Sequence, residues 1–104
     1  ELIEEGREFD GVFCQADWLA MGALEALREH GLSVPGDVCV VGHDDISIAK
    51  FGRPPITTVR QEPGMLGRRA AELLVQMMAG QAPDEQRTTV PVELVRREST
   101  RTAR

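Results

Sequence analysis

Residues 38–42, Val-Cys-Val-Val-Gly, form an unbroken apolar run with none of the alternation of a half-exposed strand. A strand of that kind is covered on both faces, the usual condition inside a parallel sheet. Parallel neighbours cannot be joined by a tight turn, so the chain must carry a crossover, most often a helix. The sequence supplies one immediately upstream. Residues 10–15, DGVFCQ, read as a short buried strand. From Asp17 to Gly31 the pattern turns helical, with Leu19, Ala20, Ala23, Leu24 and Leu27 on one stripe at about 100° per residue. Glu25, Arg28 and Glu29 define the other side, yet Trp18 and Met21 fall there too. Asp17 is expected to cap the helix start and Gly31 to stop it. Strand, helix and strand with a short link at 31–37 make a βαβ unit, whose crossover is right-handed.

Further along, ISIAKFG at 46–52 is a short helical turn or loop, broken by Arg53-Pro54-Pro55. ITTVRQ at 56–61 reads as a third strand. Gly64–Gly80 is a second amphipathic helix, with Leu66, Ala70, Leu73, Leu74 and Met77 opposed to Arg68, Arg69, Glu72 and Gln76. Gly67 costs this helix about 1 kcal/mol relative to Ala. QAPDEQR at 81–87 is a loop, and residues 88–100 form a final strand that Pro91 confines to an edge or a bend.

A chain of 104 residues holds one modest domain or a piece of a larger one. The missing initiator Met, and an opening ELIEEGREFDG that reads as the end of a helix already under way, suggest a piece. The net charge of −5 leaves no electrostatic footprint for nucleic acid. No apolar run approaches the roughly 20 residues of a membrane span. Cys14 and Cys39 lie in strand-like runs without metal or redox spacing, so buried reduced thiols and a cytoplasmic setting are expected.

Ligands of parallel sheets sit beyond the carboxyl ends of the strands. Gln15-Ala16-Asp17 and His43-Asp44-Asp45 both reach that edge. Acidic residues there could coordinate Mg²⁺ for phosphoryl transfer. These two loops carry no Lys and, beyond Ser47, no Ser or Thr to hold a phosphate, and no Gly-rich cradle precedes them. A carboxylate could instead accept hydrogen bonds from ligand hydroxyl or amine groups. The plainest role is to cap the turn. Asp45 is assigned that role, while Asp44, nearer the strand, stays open between capping and recognition.

Longer stretches carry more information. D-W-L-A-M-G-A-L-x-A-L-R-E-H-G-L-x-V-P-G-D-V-x-V-V-G-H-D-D, then P-P-I-T-T-V-R-Q, G-R-R-A-A-E-L-L and L-V-x-R-E-S-T, in this order, resemble the C-terminal part of the lac repressor family of transcription regulators. The resemblance runs from about Phe9 to Thr100. It implies an α/β, Rossmann-like parallel sheet flanked by helices, part of a type I periplasmic-binding-protein-like core that closes on a small effector. Residues 1–61 would belong to the C-terminal subdomain, 62–86 to a crossover and a helix of the N-terminal subdomain, and 87–104 to a returning strand and tail. The DNA-binding helix-turn-helix segment would lie outside this chain.

Carried over position by position, the resemblance makes Asp44 the aspartate that hydrogen-bonds an effector, usually sugar hydroxyls or a purine. Gln61 matches a residue at the crossover beside the pocket. Ala16 stands where many members carry a ligand-contacting Asn, and His43 where an aromatic residue often precedes the aspartate. Trp18 would sit at the mouth of the crevice, able to stack on a sugar face. Met21, Phe51 and Trp18 map to a homodimer interface, which would account for apolar side chains on the charged helix face.

The function these residues imply is effector binding and dimerisation in a transcriptional regulator, with no enzymatic step, no metal and no cofactor. Operator DNA would be reached only through the missing N-terminal segment, and no membrane is involved. A periplasmic sugar-binding protein of a transporter shares the fold, and a Mg-dependent phosphoryl-transfer domain using Asp44 and Asp45 is the alternative from another class. A chain with only part of the core would leave the apolar face of the 64–80 helix open, so association is expected, exchange of that helix between chains being one route.

Overall fold

Three strands run parallel, as the apolar run at 38–42 demands, and a fourth runs against them. The computed structural model describes residues 1–83 and 87–102. Its elements are β1 (Gly11–Phe13), α1 (Asp17–Glu29), β2 (Cys39–Asp44), a 3-10 turn (Ser47–Phe51), β3 (Thr57–Arg60), α2 (Pro63–Met78) and β4 (Glu93–Val95). The sheet order is β1-β2-β3-β4. Val12 pairs with Val40 and Val41 with Thr57 in parallel register, whereas Thr58 pairs with Val95 antiparallel. The sheet is therefore mixed rather than wholly parallel, because β4 re-enters alongside β3 in the opposite direction. β4 begins two residues after Pro91, which stays outside the ladder as a residue without an N–H must. Of the expected loop at 81–87, residues 84–86 lie outside the described part.

The chain divides into two compact units: Glu1–Arg60 continued from Glu93 onward, and Gln61–Val92. In the first, the core consists of Cys14, Ala20, Leu24, Leu27, Val38, Val40, Ala49 and Ile56. The α1 stripe is buried along Ala20, Leu24 and Leu27, and Ala23 is partly covered, but Leu19 is exposed. Met21, assigned by periodicity to the charged side, packs partly against the core instead. The reason is Asp17, which is fully buried on the same arc. Successive residues turn by about 100°, so drawing Asp17 inward brings Met21 with it and leaves Leu19 outside. Gly31 has φ +73° just past the helix end, the left-handed conformation expected of a helix stop. The 3-10 turn occupies the stretch read as a short helical turn or loop.

In the second unit, α2 starts with Pro63 in its first turn, where the missing N–H costs nothing. None of its residues is buried. Leu66, Leu74 and Met77 are exposed and Leu73 is half-buried, so the apolar face read from the sequence stays open within this chain.

Ser99 closes the amino end of the sheet. Its carbonyl accepts the Val40 N–H at 2.9 Å, its N–H donates to Pro55 O at 3.0 Å, and its hydroxyl donates to Val40 O. The same hydroxyl accepts the Thr57 N–H at 2.8 Å. One buried residue thus satisfies backbone groups of β2 and β3 just before those strands come together. Thr57 Oγ1 adds a bond from the Arg97 N–H at 2.9 Å and one with Thr100 Oγ1 at 2.7 Å. Removing the Ser99 hydroxyl orphans a buried donor and a buried acceptor, so Ser99→Ala should lower unfolding stability by about 1–3 kcal/mol in urea titrations.

Candidate functional site

The carboxyl ends of β1, β2 and β3 carry the segments Cys14–Asp17, His43–Ile46 and Arg60–Gln61. Asp17 joins the first two. It is not the N-cap: Ala16 holds that position in extended geometry (φ −151°, ψ 150°), and no side chain caps the helix. Asp17 is the first helical residue, and its carboxylate has been recruited elsewhere. Oδ2 accepts the Ile46 N–H at 2.8 Å and Oδ1 accepts the Thr58 hydroxyl at 2.6 Å. Gly42, in the middle of β2, makes room for it, because a Cβ there would overlap the Asp17 carboxylate. The glycine in the apolar run is thus fixed by close approach rather than by turn chemistry. Thr58 Oγ1 also lies 3.4 Å from the Asp45 N–H.

Asp44 and Asp45 have φ +108° and +55° in succession. Non-glycine residues in such conformations cost on the order of 1–3 kcal/mol each, so the surroundings must hold them. Asp45 supplies the hold. Its side chain is only 6% exposed, with Oδ2 accepting Arg60 Nε–H at 2.7 Å and Oδ1 accepting Arg97 Nη2–H at 2.7 Å. Arg97 Nη1 reaches Ile56 O at 3.0 Å, and Arg60 Nη1 approaches Glu93 at 3.4 Å. Asp45 is therefore no simple turn cap, contrary to the sequence reading. Burial alone would raise its carboxyl pKa, but the hydrogen bonds from Arg60 and Arg97 outweigh that and hold the group below the ordinary aspartate range. With both oxygens on guanidinium groups, Asp45 could join Asp44 around Mg²⁺ only by giving up both arginines, which weakens the phosphoryl-transfer alternative.

Asp44 is left at the rim. Its side chain is 39% exposed, and Oδ1 lies 3.1 Å from His43 Nδ1. Ala16 is half-buried and Trp18 is largely exposed in the first turn of α1. Gln61 is half-buried and begins the Gln61–Val92 unit, directly after the last residue of β3. Among the dimer candidates, Phe51 ends the 3-10 turn and is largely exposed, whereas Met21 is partly taken up by the core. Cys14 is a buried free thiol whose pKa burial raises, and Cys39 is free and half-buried. Sequence reasoning missed the roles of Thr58, Arg60 and Arg97. The T-T of ITTVRQ and the R-E-S-T of the tail were the only signals, and spacing alone does not pair them.

Residues 2–100 match the model of the periplasmic binding protein-like domain. The transcriptional regulator CelR of Thermobifida fusca is 38% identical over 99 residues, which are 95% of this chain and 29% of that regulator. The chain thus spans less than a third of the length of this relative. The fold is similar to that of the lac repressor dimer bound to operator and the anti-inducer ONPF, with TM-score 0.86 and 35% identity over 95% of this chain and 34% of that one. It is also similar to the CelR–cellobiose complex, with TM-score 0.83 and 38% identity over 94% of this chain and 30% of that one.

The Asp45 clamp makes a pH prediction with a definite sign. A carboxyl held below its unfolded value of about 3.9 binds fewer protons when folded. Its stabilisation is complete above that value and is lost as pH falls through the folded pKa. Urea midpoints should therefore fall more steeply for the wild type than for Asp45→Asn below about pH 4, the two curves converging in acid.

Proposed function

Because the chain belongs to the periplasmic binding protein-like domain family, in the form found in LacI-type transcription regulators, we propose that it is the effector-binding and dimerising region of such a regulator. The observation that carries this reading is the unequal pair at the end of β2. Asp45 is neutralised by two arginines, while Asp44 keeps a part-exposed carboxylate at the rim where parallel sheets receive ligands. A carboxylate so placed accepts hydrogen bonds from the hydroxyl groups of a sugar-like effector. His43 lies against it, and Trp18 offers an indole face for stacking. Ala16 contributes space rather than a polar contact, and Gln61 adds an amide at the crossover. The role proposed for these groups is binding.

The division into residues 1–61, 62–86 and 87–104, assigned to C-terminal subdomain, N-terminal crossover with its helix, and returning strand with tail, is supported by the two compact units. Homodimerisation uses the exposed Trp18 and Phe51, joined by Leu19, with Met21 contributing only what the core leaves uncovered. Operator DNA is bound by a segment outside this chain, consistent with its net charge of −5. Such a regulator works in the cytoplasm. Among the described residues no helix is long and apolar enough to cross a membrane.

The test uses the full-length regulator that contains this region. Cellobiose and a panel of other sugars and purines are titrated calorimetrically into wild type and Asp44→Ala. Loss of a hydrogen bond to a charged group should weaken binding by about 1.5–3 kcal/mol, or roughly 10- to 150-fold. Equal affinity would take Asp44 out of the site. For the dimer, Phe51→Glu places a charge in the apolar patch and should shift sedimentation toward monomer at micromolar concentration, with folding unchanged by circular dichroism.

A further inference from the structure

Asp45 touches more than its own turn. Arg60 is the last residue of the first compact unit before the chain passes into Gln61–Val92, and Glu93 is the first residue after it returns. Arg60 is held between the carboxylates of Asp45 and Glu93. Arg97, two residues beyond β4, reaches the other oxygen of Asp45. The backbone N–H of Arg97 binds Thr57 Oγ1, and its guanidinium also binds Ile56 O, both at the start of β3. A single nearly buried carboxylate therefore connects three pieces of backbone: the turn that presents Asp44, the outgoing end of β3 and the chain just past β4.

We propose that Asp45 is a positioning residue that fixes the left-handed backbone presenting Asp44 and, through Arg60 and Arg97, ties that turn to both places where the chain leaves and re-enters its first unit. The proposal rests on the reading that Asp44 contacts the effector. Asp44 pairs with Arg60, and Arg60 with Glu93, in the sheet ladder. The Asp45 carboxylate adds a side-chain tie between the same segments, so that on that reading occupancy of Asp44 and the conformation of the two crossings are linked. An ion pair with two rigid guanidinium forks suits this task, because each fork fixes direction as well as distance. The φ values of +108° and +55° at Asp44 and Asp45 show how much backbone geometry the clamp has to hold. The backbone ladder already sets Asp44 beside Arg60, and the Asp45 anchor fixes the turn and the chain past β4 to that pair.

Hydrogen exchange followed by mass spectrometry tests this without any effector, on the full-length protein, comparing wild type with Asp45→Asn, Arg60→Gln and Ser99→Ala. Asp45→Asn should speed exchange at least 10-fold in three segments together, 43–46, 58–62 and 93–97, and less than 2-fold in α1. Arg60→Gln, at a more exposed position that tolerates change better, should speed 58–62 and, through its lost contact with Glu93, the start of β4, while leaving 96–97 within 2-fold. Ser99→Ala, which also destabilises the sheet, should act instead at residues 39–41 and 56–57. The proposal fails if Asp45→Asn changes nothing, changes only 43–46, or speeds α1 as much as the crossings. It also fails if Arg60→Gln leaves 58–62 unchanged. An Asp44→Ala variant with unaltered sugar affinity would remove the effector reading and leave these exchange results standing, so the two failures are separable.

Discussion

The buried carboxylate of Asp17 sets the geometry of the rim. An ionisable group without solvent exposure is tolerated in a protein interior only where hydrogen bonds replace its water. Here a backbone N–H from the turn after β2 and a hydroxyl from β3 do so. Three segments meet on one side chain: the first turn of α1, the residue after Asp45, and β3 at Thr58. The glycine at position 42 and the rotation of α1 that brings Met21 inward both follow from the space and direction this group requires.

The two adjacent aspartates then divide into separate roles because their surroundings differ. Asp45 faces two guanidinium groups and is an internal counter-ion. Asp44 faces His43 and the rim. Identical chemistry one residue apart is separated by its partners, on a backbone with positive φ at both residues. A metal-binding pair would need the two carboxylates to converge. Here Asp45 is bound into the scaffold by two arginines, while the Asp44 carboxylate lies against His43 and is part-exposed.

Local pattern made much of this fold legible. The apolar run at 38–42 called for a parallel sheet, helical period located α1 and α2, and Gly31 marked the end of a helix. What it missed lies in partners distant along the chain. Asp17 meets Thr58, Asp45 meets Arg97, and Val40 meets Ser99, separated by 41, 52 and 59 residues. A window of a dozen residues contains no trace of such pairings. Asp17 therefore read as a cap, the commonest role for an aspartate before a helix, and Asp45 as turn chemistry. The opposite direction of β4 was hidden for the same reason, since strand direction depends on the path of the intervening chain. Family resemblance singled out Asp44, and no local pattern distinguished it from Asp45, whose two arginines lie 15 and 52 residues away along the chain.

The place of Ser99 has a consequence for biosynthesis. A nascent polypeptide makes β2 and β3 long before residue 99 leaves the ribosome, and the whole Gln61–Val92 unit is synthesised in between. Until then the carbonyl of Val40 and the amide of Thr57 lack the hydroxyl that later joins them. Completion of the first unit is thereby deferred until residue 99 has been made, and a nascent chain that stalls short of this serine holds a sheet whose seam is still unsealed.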